Sequence, residues 1–287
     1  MLKIIYEDSF EGFLTAIYYS FYCKKQIASI STKDELEIDL FSETEYINAD
    51  LNKYSKVKNA IVSKIDPLAL NKIYKLYLSN YKNKGLLCFK YLKIAFKLGS
   101  DVHKYLHLDP VRELDLIDRR VSLEGHRFTG FVRFISVNDN FLYSSIEPDN
   151  NILEIISPHF QERFSNEYWI IHDIKRNIAS VYNKTCWEIK EMNIEIYNNL
   201  KNYNDNFQDL WKGYFKSTTI NERINPKLQK RMMPKRYWNN LTEIEWRVNS
   251  EKVKYVFLCK IKFKLVQSTL CPKIPSGLFP DFLLFHF

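Results

Sequence analysis

Residues 168–182 read YWIIHDIKRNIASVY. Aromatic and β-branched side chains crowd both ends of this stretch, and the polar run Lys175-Arg176-Asn177 interrupts it. The pattern predicts two strands, Tyr168–Asp173 and Asn177–Tyr182, folded on each other as a hairpin with Lys175 and Arg176 at the turn. A third strand is expected over Cys186–Lys190. Upstream, Phe128–Val137 and Phe141–Ile146 also alternate with a period of two, and Asn138-Asp139-Asn140 between them is a hairpin signal. Ile152–Phe164, lying between the two hairpins, has a helical period. The middle of the chain is therefore expected to form an antiparallel sheet.

Outward from that sheet, the first half of the chain reads as helical. Leu2–Tyr6 is a short strand, and Asp8 or Ser9 caps a helix running to about Cys23, with Phe10, Phe13, Leu14 and Ile17 on one face. A short strand is expected near Glu45–Asn48. Val57, Ile61 and Ile65 then recur every fourth residue. Pro67 suits a first helical turn ahead of Leu70, Ile73, Tyr74 and Tyr77. Leu87, Tyr91, Ile94, Ala95 and Leu98 repeat the period until Gly99 ends it, and Asp109-Pro110 opens another helix with Val111, Leu114 and Ile117 inward. Beyond a polar Asn/Tyr stretch, helices are expected from about Asn206 to Thr242. The fold class is α+β: a helix-rich N-terminal half, a central antiparallel sheet and basic C-terminal helices. Residues 1–245 are read as the main domain, with a sub-boundary near 125, and residues 246–287 as an extension of different character.

Composition narrows the function classes. The 287 residues are 46% hydrophobic and 26% charged, a core-forming balance. With only 7 glycines, the chain contains no GxGxxG and no GxxxxGK[ST], which excludes a Rossmann dinucleotide site, a P-loop and a protein kinase. The five cysteines (Cys23, Cys88, Cys186, Cys259, Cys271) are scattered and never form CxxC, so a disulfide framework, a zinc ribbon and a cysteine-ligated cluster are poor readings. The opening MLKIIYEDSFEGF lacks a secretory pattern, and the chain is expected to be cytoplasmic. Lys and Arg total 42 against 34 Asp and Glu, a net +8 that favours a polyanionic partner such as nucleic acid or an acidic membrane surface.

Two constellations could carry chemistry. His103 and His107 have the i, i+4 spacing of a ligand pair, but no Glu stands between them in the HExxH manner. Residues 124–176 are denser, bringing together His126, Arg127, Arg133, Glu147, His159, Arg163, His172, Asp173 and Arg176. Arginine forks bind phosphate and histidine exchanges protons near neutral pH, so His126, Arg133, His159, Arg163, Asp173 and Arg176 form a candidate catalytic or nucleotide-facing set. His159, Glu147 and Asp173 could alternatively gather a metal. The competing reading is structural: His159 and Arg163, one helical turn apart, pack and pair.

The strongest electrostatic feature lies between Ile220 and Trp238. Arg223, Lys227, Lys230, Arg231, Lys235 and Arg236 face one acid, Glu222, and Tyr237 and Trp238 follow at once. Cations neutralise phosphates and aromatic rings stack on bases, so all eight are candidate nucleic-acid contacts. The structural alternative is a solvated helix with Trp238 buried beneath it. No helix-turn-helix, zinc-finger or RNA-recognition signature accompanies the segment, and sequence-specific readout is not indicated.

Five blocks in one order resemble a bacterial family linked to DNA metabolism and DNA repair, whose defining domain has no assigned function. They are YEDSFEGFLTAIY (6–18), EGHRFTGFVRF (124–134), IEPDNNILEIISPHFQERF (146–164), WIIHDIKRNIASVYN (169–183) and LWKGYFKSTTINERINPKLQKRMMPKRYW (210–238). Members of that family are typically encoded beside a radical-SAM protein of DNA modification or repair, and related domains occur fused to a uracil-DNA-glycosylase-like domain. The resemblance therefore implies a DNA-associated accessory role with DNA and the radical-SAM protein as partners. It implies no reaction, since none is assigned to the domain, and no metal site or cofactor is expected from the residues. A hydrolase of phosphodiester or glycosidic bonds in DNA and a protein-interaction module without direct DNA contact stand as alternatives.

Overall fold

Leu2–Tyr6 (β1) buries side chains on both of its faces, as a strand in the middle of a parallel sheet must. The computed structural model describes residues 1–33, 43–137, 141–200 and 206–241. In it, β1 lies between Ile27–Ser31 (β2) and Glu43–Ile47 (β3), parallel to both. The expected strand near Glu45–Asn48 is β3, whereas β2 has no counterpart in the sequence reading: two of its five residues are serine and two lysines precede it. The Asn138–Asn140 turn and the extension from 246 onward lie outside the described residues.

The described chain divides into two compact units. One comprises Met1–Gly130 with Pro148–His159, and the other Phe131–Glu147 with the chain from Phe160 onward.

In the first unit, Ser9 caps α1 (Phe10–Tyr22) by accepting from Gly12 N–H at 3.0 Å. Helices α2 (Leu51–Lys64), α3 (Pro67–Leu78) and α4 (Lys84–Leu98) follow where the periodicity placed them. Asp66 caps α3 ahead of Pro67, and Gly99, at φ +61°, ends α4 in a conformation that disfavours any side chain. Phe13, Leu14, Ile17, Ile61, Ile73, Leu76, Leu92 and Leu114 form the core. Gly85 permits the close seating of α4 on β2: a Cβ there would lie 2.6 Å from both the side chain and the carbonyl oxygen of Ile30.

Helix α5 (Asp109–Phe131) corrects the sequence reading. The strand expected from Phe128 is the last turn of this 23-residue helix, and the sheet begins only at Ile135. Val111, Leu114, Ile117, Val121, Gly125 and Phe128 are buried at steps of three and four, so the helical stripe continues through the segment that looked alternating. Lys72–Asp115 and Lys75–Asp118 ion pairs, each at 2.8 Å, tie α3 to α5. Near its end, the buried carboxylate of Glu124 accepts from Asp149 N–H at 2.8 Å, Asn150 N–H at 2.9 Å and the Asn150 amide at 2.6 Å.

The second unit holds a five-stranded sheet in the order β4-β5-β6-β7-β8, built from Ile135–Val137, Phe141–Ile146, Trp169–Asp173, Ile178–Tyr182 and Trp187–Glu191. The β6–β7 hairpin and the third strand, β8, fall where the sequence placed them. Three of the four pairings are antiparallel, but β5 and β6 run parallel, with Tyr143 opposite Ile170 and Ser145 opposite His172. Between them the chain crosses over through α6 (Leu153–Arg163), and a crossover of that kind returns the strand in the same direction. One face carries Tyr143, Ala179, Met192 and Val137, packed by Ile196 and Leu200 of α7 (Ile194–Leu200). On the other, Trp169 stacks on Tyr182 at 5.1 Å between centroids and meets the edge of Phe160. Helices α8 (Asn206–Thr218) and α9 (Pro226–Met232) and 3-10 turns at Asn221–Arg223 and Lys235–Asn240 complete the described chain. The fold class is α+β, with helices in the N-terminal half and the sheet in the middle.

Gly85→Ala drives a methyl group into the main chain of β2, so α4 must move away from the sheet. Urea denaturation is expected to show a loss of about 2 kcal/mol. An unchanged midpoint would mean that the helix is not held against Ile30.

Candidate functional site

The six residues of the central set divide between the two units. His126, on α5, and His159, on α6, are exposed side chains of the first unit. Arg133, Arg163, Asp173 and Arg176 belong to the second. There the Arg133 guanidinium lies 5.8 Å over the Trp211 ring, and that of Arg163 lies 5.7 Å over Phe164. The structure brings Asp173 and Arg176 together: Arg176 donates to the Asp173 carboxylate at 2.7 Å.

That pair closes the β6–β7 turn. The second Asp173 oxygen accepts from the Lys175 N–H at 3.1 Å, and Asn177 completes the reversal at φ +54°, which asparagine tolerates well. Asp173 is completely buried, and its burial raises the carboxyl above the ordinary range against the pull of Arg176 and the turn N–H groups. Both oxygens are occupied by the turn, so the geometry assigns Asp173 to holding the hairpin. Among the described residues, no three of His, Cys, Asp and Glu are gathered as a metal site requires.

His172, one residue earlier, points to the opposite face and is also completely buried. Burial pushes the Tyr143 phenol up, so its hydroxyl stays protonated, and it shares a 2.8 Å hydrogen bond with Nδ1 of His172 whose direction follows the ring tautomer. Among the described residues Nε2 has no partner at ordinary hydrogen-bonding geometry, and the main chain of Met192 gives the protonated ring only partial support. Desolvation therefore holds the imidazole below its usual range. The register contained the signal for this pair, since a histidine on the inward side of an apolar strand needs a partner there. The position of Tyr143 depended on the parallel pairing.

His103 and His107 do not share a helical face. The 3-10 turn Gly99–Lys104 ends before His107, and His103 Nε2 lies 2.9 Å from the Asp66 carboxylate.

The basic segment is more coherent. Arg223, Lys227, Lys230, Arg231, Lys235 and Arg236 are all exposed. The first five make no ion pair with a carboxylate among the described residues. Asn225 caps α9 by accepting from the Leu228 N–H at 3.0 Å, and Lys227, Lys230 and Arg231 share one side of that helix while Gln229 turns inward. Tyr237 and Trp238 are buried, at 3% and 4% exposure. The base-stacking role expected of them is corrected: Trp238 packs with Met233 and Leu241 against Phe131, and its Nε1–H donates to the Met233 carbonyl at 2.9 Å.

One surface escaped the sequence reading. Phe207, Leu210 and Tyr214 form an exposed stripe along α8, at 66%, 67% and 37% exposure. Their three- and four-residue spacing was legible, but periodicity cannot tell an exposed apolar stripe from a buried one.

Residues 82–243 match the domain of unknown function DUF4130, and the chain belongs to that family. No curated protein and no solved structure matches it. No helix among the described residues is long and apolar enough to cross a membrane.

Because His172 is neutral in the fold and titrates near 6.5 when free, its contribution to stability is complete above about pH 6.5. It is lost as the pH falls from there toward the depressed folded-state value. His172→Gln keeps a hydrogen-bonding side chain beside Tyr143 but cannot titrate. Thermal melts of the two proteins are expected to converge as the pH drops from about 7 to 5. Parallel pH profiles would show that His172 is not desolvated. Separately, Arg176→Met leaves a buried carboxylate without its cation and is expected to cost about 3 kcal/mol in urea denaturation.

Proposed function

We propose that this protein is a cytoplasmic, DNA-associated accessory protein that contacts phosphates through Arg223, Lys227, Lys230, Arg231, Lys235 and Arg236. The observation that carries this reading is the exposure of all six cations around α9, five of them without a carboxylate partner among the described residues. Uncompensated positive charge on so short a segment has a self-repulsion that a polyanion relieves, and release of condensed counterions drives the association. The resemblance to proteins of DNA metabolism and repair supports DNA as that polyanion and a radical-SAM protein as the partner acting beside it. In this reading the chain delivers or holds the nucleic acid and the partner supplies the chemistry.

A second reading, a protein-interaction module, is favoured by the Phe207-Leu210-Tyr214 stripe, since large apolar side chains exposed in a row mark docking surfaces. The two readings are compatible if different surfaces serve DNA and protein.

Fluorescence anisotropy with a duplex oligonucleotide across a salt series tests the first reading. Arg231→Glu combined with Lys235→Glu is expected to weaken binding at low salt by roughly tenfold or more, and to flatten the log–log salt dependence by about two. Unchanged affinity in the double variant would remove the segment from the interface.

A further inference from the structure

The only aromatic residues between Ile220 and Trp238 are Tyr237 and Trp238, and both rings are closed off from solvent. Two of the six cations, Arg236 and Lys235, rest on those rings. The Arg236 guanidinium lies 4.7 Å over Tyr237 and donates to its hydroxyl at 2.9 Å, and Lys235 Nζ lies 6.0 Å over Trp238. The exposed large side chains that interleave with the positive charges are Ile220, Leu228 and Met232, none of which offers a flat π face. A base stacks on a planar ring, so an aliphatic-and-cationic surface can neutralise phosphates but cannot form a stacking platform.

We infer that this surface grips the sugar–phosphate backbone alone, with Tyr237 and Trp238 supporting Arg236 and Lys235 from beneath and no base inserted against residues 220–238. The inference rests on the DNA-binding reading and specifies its ligand: the regular backbone of a nucleic acid, bound without regard to base identity. Duplex DNA presents this backbone at higher charge density than a single strand does, so the duplex is the preferred form. Six phosphate contacts predict a log–log salt slope of about −5 on duplex, and a shallower slope on a single strand.

The deciding experiment compares three probes of equal length with the full chain: a duplex, a single strand of mixed sequence, and a single strand in which every nucleotide is abasic. The abasic strand keeps the phosphates and lacks anything to stack. Equal affinity for the two single strands, within about twofold, together with tighter binding of the duplex, is the expected result. A preference of about fivefold or more for the base-bearing strand over the abasic one corresponds to at least one stacked base. That preference would overturn the backbone-only mode while leaving DNA binding in place. The absence of salt-dependent binding to all three probes would overturn the DNA reading itself.

Discussion

The buried carboxylate of Glu124 holds the point on which the chain path depends. Strand β5 ends at Ile146, and the chain then enters the segment 148–159, which belongs to the first unit. Glu124 receives it through the N–H groups of Asp149 and Asn150 and the Asn150 side chain. Asn150 in turn accepts from the Asn80 N–H at 3.0 Å, and Asn151 N–H donates to the Leu78 carbonyl at 2.9 Å. A buried carboxylate with three donors is well satisfied, and without it those donors would be left in a dry environment. The same excursion lets β6 return parallel to β5, and with it come the Tyr143–His172 pair on one face and the Asp173–Arg176 turn beyond the strand end.

The second organising constraint is the division of labour between aromatic rings and cations around residues 223–241. Trp238 and Tyr237 supply apolar area to a small cluster with Met233, Leu241 and Phe131. Their ring faces also provide the electrostatic seat on which Arg236 and Lys235 rest. A ring used in this way is unavailable to a ligand. The rings that stabilise this small cluster therefore also restrict what its surface can recognise, leaving charge as the main means of recognition.

Several elements were readable from local pattern alone. The Ser9 cap, Pro67 at a helix start, Gly99 at a helix end and the β6–β7 hairpin each depend on a few neighbouring residues, and each lies where its chemistry placed it. The misplaced elements depended on distant partners. EGHRFTGFVRF alternates well enough to pass for a strand, but the burial of Gly125 and Phe128 continues the stripe of α5, and a Cβ at Gly125 would come within 2.9 Å of Ile155. Strand β2 has weak propensity of its own and exists because β1 presents an edge to it. The central set of His126, Arg133, His159, Arg163, Asp173 and Arg176 was a cluster in sequence, but its members belong to different units, and one pair among them serves a turn.

By itself, the amino-acid sequence determined the α+β composition, the helical first half, the hairpin around Lys175-Arg176, and the concentration of positive charge between 223 and 236. All of these follow from periodicity, capping and charge, which act over a few residues. Only the tertiary structure decided that β5 and β6 run parallel, that His172 meets Tyr143, and that Tyr237 and Trp238 face inward. Strand direction depends on where the chain travels between strands, and the exposure of a ring depends on which distant residues cover it; neither is encoded in the spacing of neighbours.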